Sequence, residues 1–357
     1  MTGHVLLYGV TGYAGGEVAQ ALAAAGTPLV LAGRDPAAVA RVAGPLNLPW
    51  TAVSLDDPQG LDEALSGATL VLHAAGPYAQ TAAPMLAACL RTGTHYLDLA
   101  GEWPVFADIQ ARDAAAQAAG IMLMPGVGLT IAATDGLLAQ AKRAHPDAVK
   151  LRLGISKAQV ISRGTVMSAA GLLGPGALVR RGGQIVQAPA GSLTCAFDFG
   201  DGLREATAMS WADVVTGQHT TGVGDIEVYS ELAWYQRAAY RTSGLAMAIS
   251  GAAPWRATAR RLASAWPETP TEAARRAAAF VMVVEALDPW RRPRRLRLRT
   301  LDGYTVSVLT AAAAAQRVLE GQWTPGFQTP SRVFGADFIL GLGCAWLDEP
   351  PPSQAAA

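Results

Sequence analysis

Val5-Leu6-Leu7-Tyr8-Gly9-Val10-Thr11-Gly12-Tyr13-Ala14-Gly15-Gly16 is the stretch that decides the fold. Its first four residues form a short apolar run of strand type, and glycines follow at once in the spacing GxxGxxG. From Gly15 to Ala25 the sequence turns alanine-rich and helical. Gly9 permits a tight turn out of the strand. Gly12 lets the backbone approach a ligand with no Cβ in the way, and Gly15 lets the helix pack close to the sheet. A helix amino terminus reached in this way presents N–H groups and a positive dipole end, the arrangement that receives a diphosphate. A tight glycine turn with no ligand is the plain alternative. The context of strand before and helix after favours the diphosphate.

The pattern continues outward from that stretch. Strands are expected at Leu29–Ala32, Thr51–Ser54, Thr69–His73, His95–Leu99 and Ile121–Met124. Between them lie helical segments at Pro36–Ala43, Gly60–Leu65 and Ala82–Thr92, and one long helix at Trp103–Ala119. Asp35 stands where an N-cap belongs, with Pro36 at the first helical position. Strands alternating with helices of this size mean βαβ units and a doubly wound parallel sheet, a Rossmann domain. After Pro125 the grammar changes. Ile131–Ala144 and residues 164–174 read as helices, Val149–Lys157 and Asp225–Trp234 as strands, and Gly182–Pro189 as a hairpin. Arg294–Arg299 and Tyr304–Thr310 read as strands joined at Leu301-Asp302-Gly303, and Thr310–Gly321 as a helix. The fold class is therefore α/β, with an α+β second domain of mixed, largely antiparallel sheet. Expected domains are 1–128, 129–322, a returning segment 323–349 and a disordered tail 350–357.

Two further sites along the first domain bear on a ligand. The second strand ends Leu31-Ala32-Gly33-Arg34-Asp35. An acidic residue at that tip would bind the ribose 2′-hydroxyl of NAD, whereas Arg34 brings a guanidinium suited to the 2′-phosphate of NADP. Asp35 reaches the same region but is better placed to cap the next helix, so NADPH is preferred to NADH. The fourth strand ends His73-Ala74-Ala75-Gly76-Pro77-Tyr78. Small residues there let the backbone pass close to a cofactor lying across the carboxyl ends of the strands. The cofactor set is thus Gly9, Thr11, Gly12, Tyr13, Ala14, Arg34, Ala75, Gly76 and Pro77.

Composition excludes several classes. Lys and Arg number 28 and Asp and Glu 28, so no charge excess points to nucleic acid or an anionic membrane. No stretch reaches the roughly 18–20 apolar residues of a membrane span, and the start reads as a buried strand rather than a secretory leader. Three scattered cysteines, Cys89, Cys195 and Cys344, form no CxxC pair, and His4, His145 and His219 do not cluster. Neither a metal nor a disulfide framework is expected, and a reducing cytoplasm is the expected compartment.

Four segments of the first domain resemble the saccharopine dehydrogenase-like oxidoreductases: Gly9–Gly16, Ala32–Asp35, Ala75–Tyr78 and His95–Glu102. Pro125–Gly128 with Thr134-Asp135 resembles that family's entry into its second domain. Thr329-Pro330 with Phe334–Phe338 resembles its returning segment. The resemblance implies an inserted αβ domain carrying much of the substrate pocket. It implies saccharopine-type C–N chemistry or reduction of the kind done by trans-acting enoyl reductases.

Hydride transfer asks the protein to place the nicotinamide against an electrophilic carbon and to handle one proton. Tyr78, Asp98 and Glu102 are the candidates. Asp98 has the alternative of a structural carboxylate, Glu102 that of a helix cap and Tyr78 that of a packing residue. His95, at the start of its strand, should lie far from the cleft. A multicarboxylate substrate would need convergent arginines, for which residues 150–250 offer Arg152, Arg163, Arg180, Arg181 and Arg204. The same region carries Met167, Leu172, Leu173, Met209, Trp211, Leu232, Trp234 and Met247, which suits an apolar small-molecule substrate. The preferred reading is an NADPH-dependent reductase of an activated C=C bond. A saccharopine-type amino-acid oxidoreductase and a non-catalytic NADP-binding sensor are the alternatives. Pairing of exposed strand edges makes a homodimer plausible.

Overall fold

In a computed structural model the protein is described over residues 3–157, 176–250 and 278–348. It divides into two compact units, one of residues 1–132 with 304–338, the other of residues 133–303 with 339–357. The helix expected at 164–174 and the tail 350–357 lie outside the described residues.

The first unit is built on a parallel sheet. Its strands are β1 (His4–Tyr8), β2 (Leu29–Gly33), β3 (Trp50–Ala52), β4 (Ala68–His73), β5 (His95–Asp98) and β6 (Met122–Met124), with a returning β15 (Gly326–Phe327). Their order is β15-β6-β5-β4-β1-β2-β3, all pairs parallel. Strand order reverses between β1 and β4, which is the switch point where such sheets bind ligands. Val5, Leu6, Leu7, Leu31, Leu70, Val71, Leu72 and Leu97 are fully buried, because helices cover both faces.

The helices of this unit are α1 (Tyr13–Ala24), α2 (Pro36–Leu46), α3 (Pro58–Leu65), α4 (Tyr78–Thr92), α5 (Trp103–Gln110) and α6 (Asp113–Ala118). Asp35 and Asp57 cap α2 and α3 by accepting the Ala38 and Gly60 N–H groups. The long helix expected over 103–119 is two helices, broken at Ala111–Arg112. The break sets Asp113 against the returning strand, where its carboxylate accepts the Phe327 N–H at 2.7 Å. Helix α4 begins at Tyr78, four residues before the expected start, and runs on through Pro84.

The chain leaves through α7 (Leu129–Ala144) and builds β7 (Lys150–Ile155), β8 (Gly176–Arg181), β9 (Gln184–Pro189), β10 (Thr194–Asp198), β11 (Leu203–Ala208) and β12 (Asp225–Glu231). It continues through β13 (Phe280–Leu287), β14 (Pro293–Thr300) and, after the return, β16 (Ala345–Asp348). Helices α8 (Asp213–Thr221) and α9 (Trp234–Ser250) lie between strands. The sheet runs β10-β11-β12-β7-β13-β14-β16, with β8 on β12 and β9 on β8. Among the described strands only β12 and β7 pair in parallel, so the sheet is mixed and largely antiparallel.

Two expectations in this half are corrected. Tyr304–Thr310 is not a strand. It opens α10 (Gly303–Leu319), while β14 pairs with β13 and β16. The Tyr-Thr-Val-Ser-Val-Leu run alternates like a strand, but Val306, Thr310, Ala311, Ala312, Ala314, Ala315 and Val318 are the buried residues, a helical face that the following alanines propagate. Trp234 likewise does not end a strand but starts α9, and it is exposed. The arginine-rich β14 is a half-exposed strand: Leu296 and Leu298 are buried, and Arg295 and Arg297 pair with Glu285 and Asp348. A last short helix, α11 (Pro330–Phe334), closes the first unit's returning segment.

Candidate active site

The glycine loop lies at the carboxyl end of β1, and its three glycines are required for different reasons. Gly9 has φ +96°, and a Cβ there would stand 2.7 Å from the Ala75 backbone nitrogen. At Gly15 a Cβ would meet the Gly9 carbonyl oxygen at 2.3 Å. Packing alone demands both. Gly12 is exposed, extended at φ −81° and ψ 159°, and a Cβ would meet only the Gly9 oxygen at 3.4 Å. The missing side chain at Gly12 therefore leaves room over the helix end rather than inside the protein. Gly12 is also the N-cap of α1 and supplies no side-chain cap. The first helical bond is Gly16 N–H to Gly12 O at 2.9 Å, so the N–H groups of Tyr13, Ala14 and Gly15 precede it. Thr11 is exposed, Tyr13 and Ala14 half-buried, and the Tyr13 ring meets Tyr304 edge-on at 5.5 Å.

At the end of β2, Arg34 is exposed. Asp35 is occupied by the cap it gives α2. Gly33 has a packing reason as well, since a Cβ there would press on Val39 at 2.9 Å. The β4–α4 loop faces Gly9. The Thr81 hydroxyl fixes it by donating to the Ala75 carbonyl at 2.6 Å, and Gly76 and Pro77, joined by a cis peptide bond, are exposed.

Tyr78, Asp98 and Glu102 are brought together. The Tyr78 phenol sits on the first turn of α4, its oxygen at the Leu99 N–H and within electrostatic reach of both carboxylates. Burial, then Asp98 and Glu102, raise its pKa well above the ordinary phenol value, so it keeps its proton. Asp98 ends β5 and is fully buried. One carboxylate oxygen accepts the N–H groups of Ala100 (2.9 Å) and Gly126 (2.7 Å), and the other accepts the Tyr96 hydroxyl (2.7 Å). Burial lifts its pKa to about 6, against the lowering effect of those three donors. Glu102 is the N-cap residue of α5, yet its carboxylate accepts the Gly101 N–H at 3.0 Å and makes no side-chain cap.

Sequence reasoning passed over His73. It ends β4, fully buried, with its ring 5.6 Å from both Tyr8 and Tyr78 and 6.2 Å from Tyr96. Neither ring nitrogen has a hydrogen-bond partner among the described residues, and burial lowers its pKa to about 3. A polar residue closing the apolar run Leu70-Val71-Leu72 was the signal available. His95 is at the other end of its strand, where its Nδ1 accepts the Met122 N–H and its ring packs at a tilt against Trp323. A surface concavity of about 410 Å³ lined by Val30, Thr51, Val53, Asp57 and Glu63 lies along β2 and β3, with none of these site residues in its lining.

In the second unit the described arginines among those considered for a carboxylate-rich substrate, Arg152, Arg180, Arg181 and Arg204, are already engaged. Arg152 and Arg181 pair with Glu227, and Arg204 with Asp201 and Glu231. Arg180 donates to the Val214 and Gly183 carbonyls. Arg163, Met167, Leu172 and Leu173 lie outside the described residues, as does the side chain of Met247. Met209, Trp211 and Leu232 are half-buried. Among the described residues no group of three His, Cys, Asp or Glu is placed to hold a metal ion, and no helix is long and apolar enough to cross a membrane.

Residues 5–124 match the family described as the saccharopine dehydrogenase NADP binding domain. A trans-acting enoyl reductase of Mycobacterium ulcerans (strain Agy99) is 40% identical over 105 residues, 28% of this chain and 25% of that protein. One of Mycobacterium leprae (strain TN) is 36% identical over 132 residues, 34% of this chain and 32% of that protein. The chain thus matches a quarter to a third of the length of these relatives. Among solved structures, saccharopine dehydrogenase (L-Glu forming) from Saccharomyces cerevisiae aligns with a TM-score of 0.64 over 97% of this chain and 100% of that one, at 14% identity. Homospermidine synthase from Legionella pneumophila, solved with NAD, gives 0.63 over 100% and 94%, at 9% identity. At such identities the shared property is the fold.

Proposed function

We propose that this chain, whose residues 5–124 match the saccharopine dehydrogenase NADP binding domain, is an NADPH-dependent reductase acting on an activated C=C bond of a fairly apolar small molecule. The observation that carries the reading is the open amino end of α1 at Gly12, with exposed Arg34 at the next strand end and Asp35 withdrawn into a cap. The α1 amino end and Thr11 would hold the diphosphate, and Arg34 would hold the 2′-phosphate. Ala75, Gly76 and Pro77 would let the backbone pass close to the cofactor. NADPH, when bound, supplies the hydride. Tyr78, protonated across the working pH range, supplies the proton to the substrate, with Glu102 beside it. Asp98, committed to three donors, positions the loops on either side.

The choice of a C=C bond over saccharopine-type C–N chemistry is supported by the partial identity to trans-acting enoyl reductases. Engagement of Arg152, Arg181 and Arg204 by carboxylates supports it too, because it leaves those cations already paired. A reducing cytoplasm suits three cysteines that are all free.

The test is fluorescence titration followed by turnover. Arg34→Ala should weaken NADPH by about 10- to 100-fold, the loss of a charge-assisted contact, and leave NADH within about twofold. Equal losses for both would remove the case for NADP. Oxidation of NADPH by an α,β-unsaturated thioester should follow. A protein that binds NADPH and never passes on its hydride to such acceptors would be a sensor and not a reductase.

A further inference from the structure

His73 ends β4 at the point where strand order reverses, and its register partners are Tyr8 on β1 and Asp98 on β5. Partners in adjacent parallel strands point to the same face, so the three side chains stand in one row at the carboxyl ends. Tyrosine rings close on the imidazole from three directions. Tyr8 and Tyr96 lie tilted against it, at 5.6 and 6.2 Å between ring centres, and Tyr78 meets it from α4 edge-on, at 5.6 Å and 84°. A phenylalanine would fill such a place and orphan nothing. A histidine leaves a donor and an acceptor nitrogen buried with no hydrogen-bond partner among the described residues. That condition opposes folding, and one reason for a polar group to be kept in it is a part in catalysis.

The neighbours of His73 narrow the use. The Tyr8 hydroxyl donates to the Val53 carbonyl at 3.1 Å, and the Tyr96 hydroxyl to Asp98 at 2.7 Å. Around the Tyr78 oxygen, the Asp98 and Glu102 carboxylates are acceptors, and the Leu99 N–H is the only donor among the described residues. This surrounding suits the phenol and not the phenolate. Once its proton has left, the oxygen carries a full charge beside two carboxylates, with one hydrogen bond to support it. Burial holds the imidazole neutral, so at neutral pH it has one N–H to give. Among the described residues it is the ring packed on Tyr78, and that N–H is uncommitted.

We propose that His73 is a positioning residue for Tyr78, its N–H turning to the Tyr78 oxygen as the phenol's proton leaves for the substrate. The role rests on the reductase reading above, with Tyr78 as the proton donor. In that reaction one carbon of the C=C bond takes the hydride and the other takes the Tyr78 proton, so the bond is reduced and NADPH is oxidised. The Tyr78 O–H bond breaks as the second C–H bond forms. His73 gives up no proton, and solvent restores that of Tyr78. Its contribution is a dipole aimed at the place where charge develops, through the residue that does the chemistry.

Ionisation of position 78 tests the contact with no cofactor or acceptor present. A ring-fluorinated tyrosine placed there ionises more readily than tyrosine, and fluorine NMR follows its titration. His73→Phe keeps the ring and removes the N–H. It should lower the ionisation constant of position 78 about tenfold, with a melting temperature equal to the parent's or above it. His73→Asn, which restores an N–H, should fall between the two. In turnover of an α,β-unsaturated thioester, His73→Phe should lower kcat by about 10- to 100-fold and leave KM and NADPH affinity within about twofold. In a Tyr78→Phe background the same change should move the residual rate by less than about twofold. An unmoved titration, or a rate loss equally large without the Tyr78 hydroxyl, would overturn the proposal and leave the reductase reading standing. A wild-type protein that reduces no such acceptor, with the titration as expected, would overturn the reductase reading and the role of His73 with it.

Discussion

Asp98 shows how burial and hydrogen bonding compete at one residue. The carboxyl group is surrounded by protein, which favours the neutral acid, while two N–H groups and a hydroxyl favour the anion. Burial prevails, and its pKa of about 6 stands above the ordinary carboxylate value. A group whose pKa is higher in the folded chain than in the unfolded one adds stability in full below the unfolded value. That stability is lost as pH rises through the folded value. The wild-type protein should therefore lose stability relative to Asp98→Asn between pH 4 and about 6.5. Asparagine keeps an oxygen for Ala100 and Gly126 and carries no charge. Thermal melts of both proteins across that range would show it, and parallel curves would refute it.

At the scale of the element, the glycine loop separates two demands that the spacing GxxGxxG merges. Gly9→Ala places a Cβ against the Ala75 backbone at a left-handed φ, and should cost about 2 kcal/mol or more in chemical denaturation. Gly12→Ala meets nothing closer than 3.4 Å and has an ordinary φ. It should leave stability within about 0.5 kcal/mol while weakening NADPH about tenfold, because the new methyl group occupies the space over the helix end. A Gly12→Ala protein with unchanged NADPH affinity would mean that the ligand does not approach that residue. The loop and its helix were legible in the sequence because every requirement there is local: a strand, a turn and a helix within sixteen residues. The break in the helix after Gln110 was not legible. Its reason is Asp113 accepting the Phe327 N–H, and Phe327 lies 214 residues further along the chain.

For the whole molecule, the second sheet is held across its strands by a few buried acids. Glu227 on β12 accepts Lys150 and Arg152 from β7, Arg181 from β8 and Tyr229 from its own strand. Glu285 on β13 continues the line with Arg152 and Arg295. Glu227→Gln would leave three part-exposed cations around a neutral amide. The expected loss is about 2 kcal/mol, less than for a fully buried pair because water reaches the cations. Urea unfolding would measure it, and a loss under about 0.5 kcal/mol would mean that the cations are satisfied by solvent.

Hydrophobic periodicity and glycine spacing by themselves determined the parallel sheet, the mixed second sheet and the residues at the strand ends. These are consequences of chain stereochemistry and of burial on one face or two, and a short window of sequence contains them. Tertiary structure alone decided that Tyr304 opens a helix, that His73 is buried without a hydrogen-bond partner among the described residues, and that Arg152 and Arg181 pair with Glu227. Each of these depends on which distant segment lies alongside, and a residue's pairing, exposure and protonation follow from that neighbour rather than from its own position in the sequence.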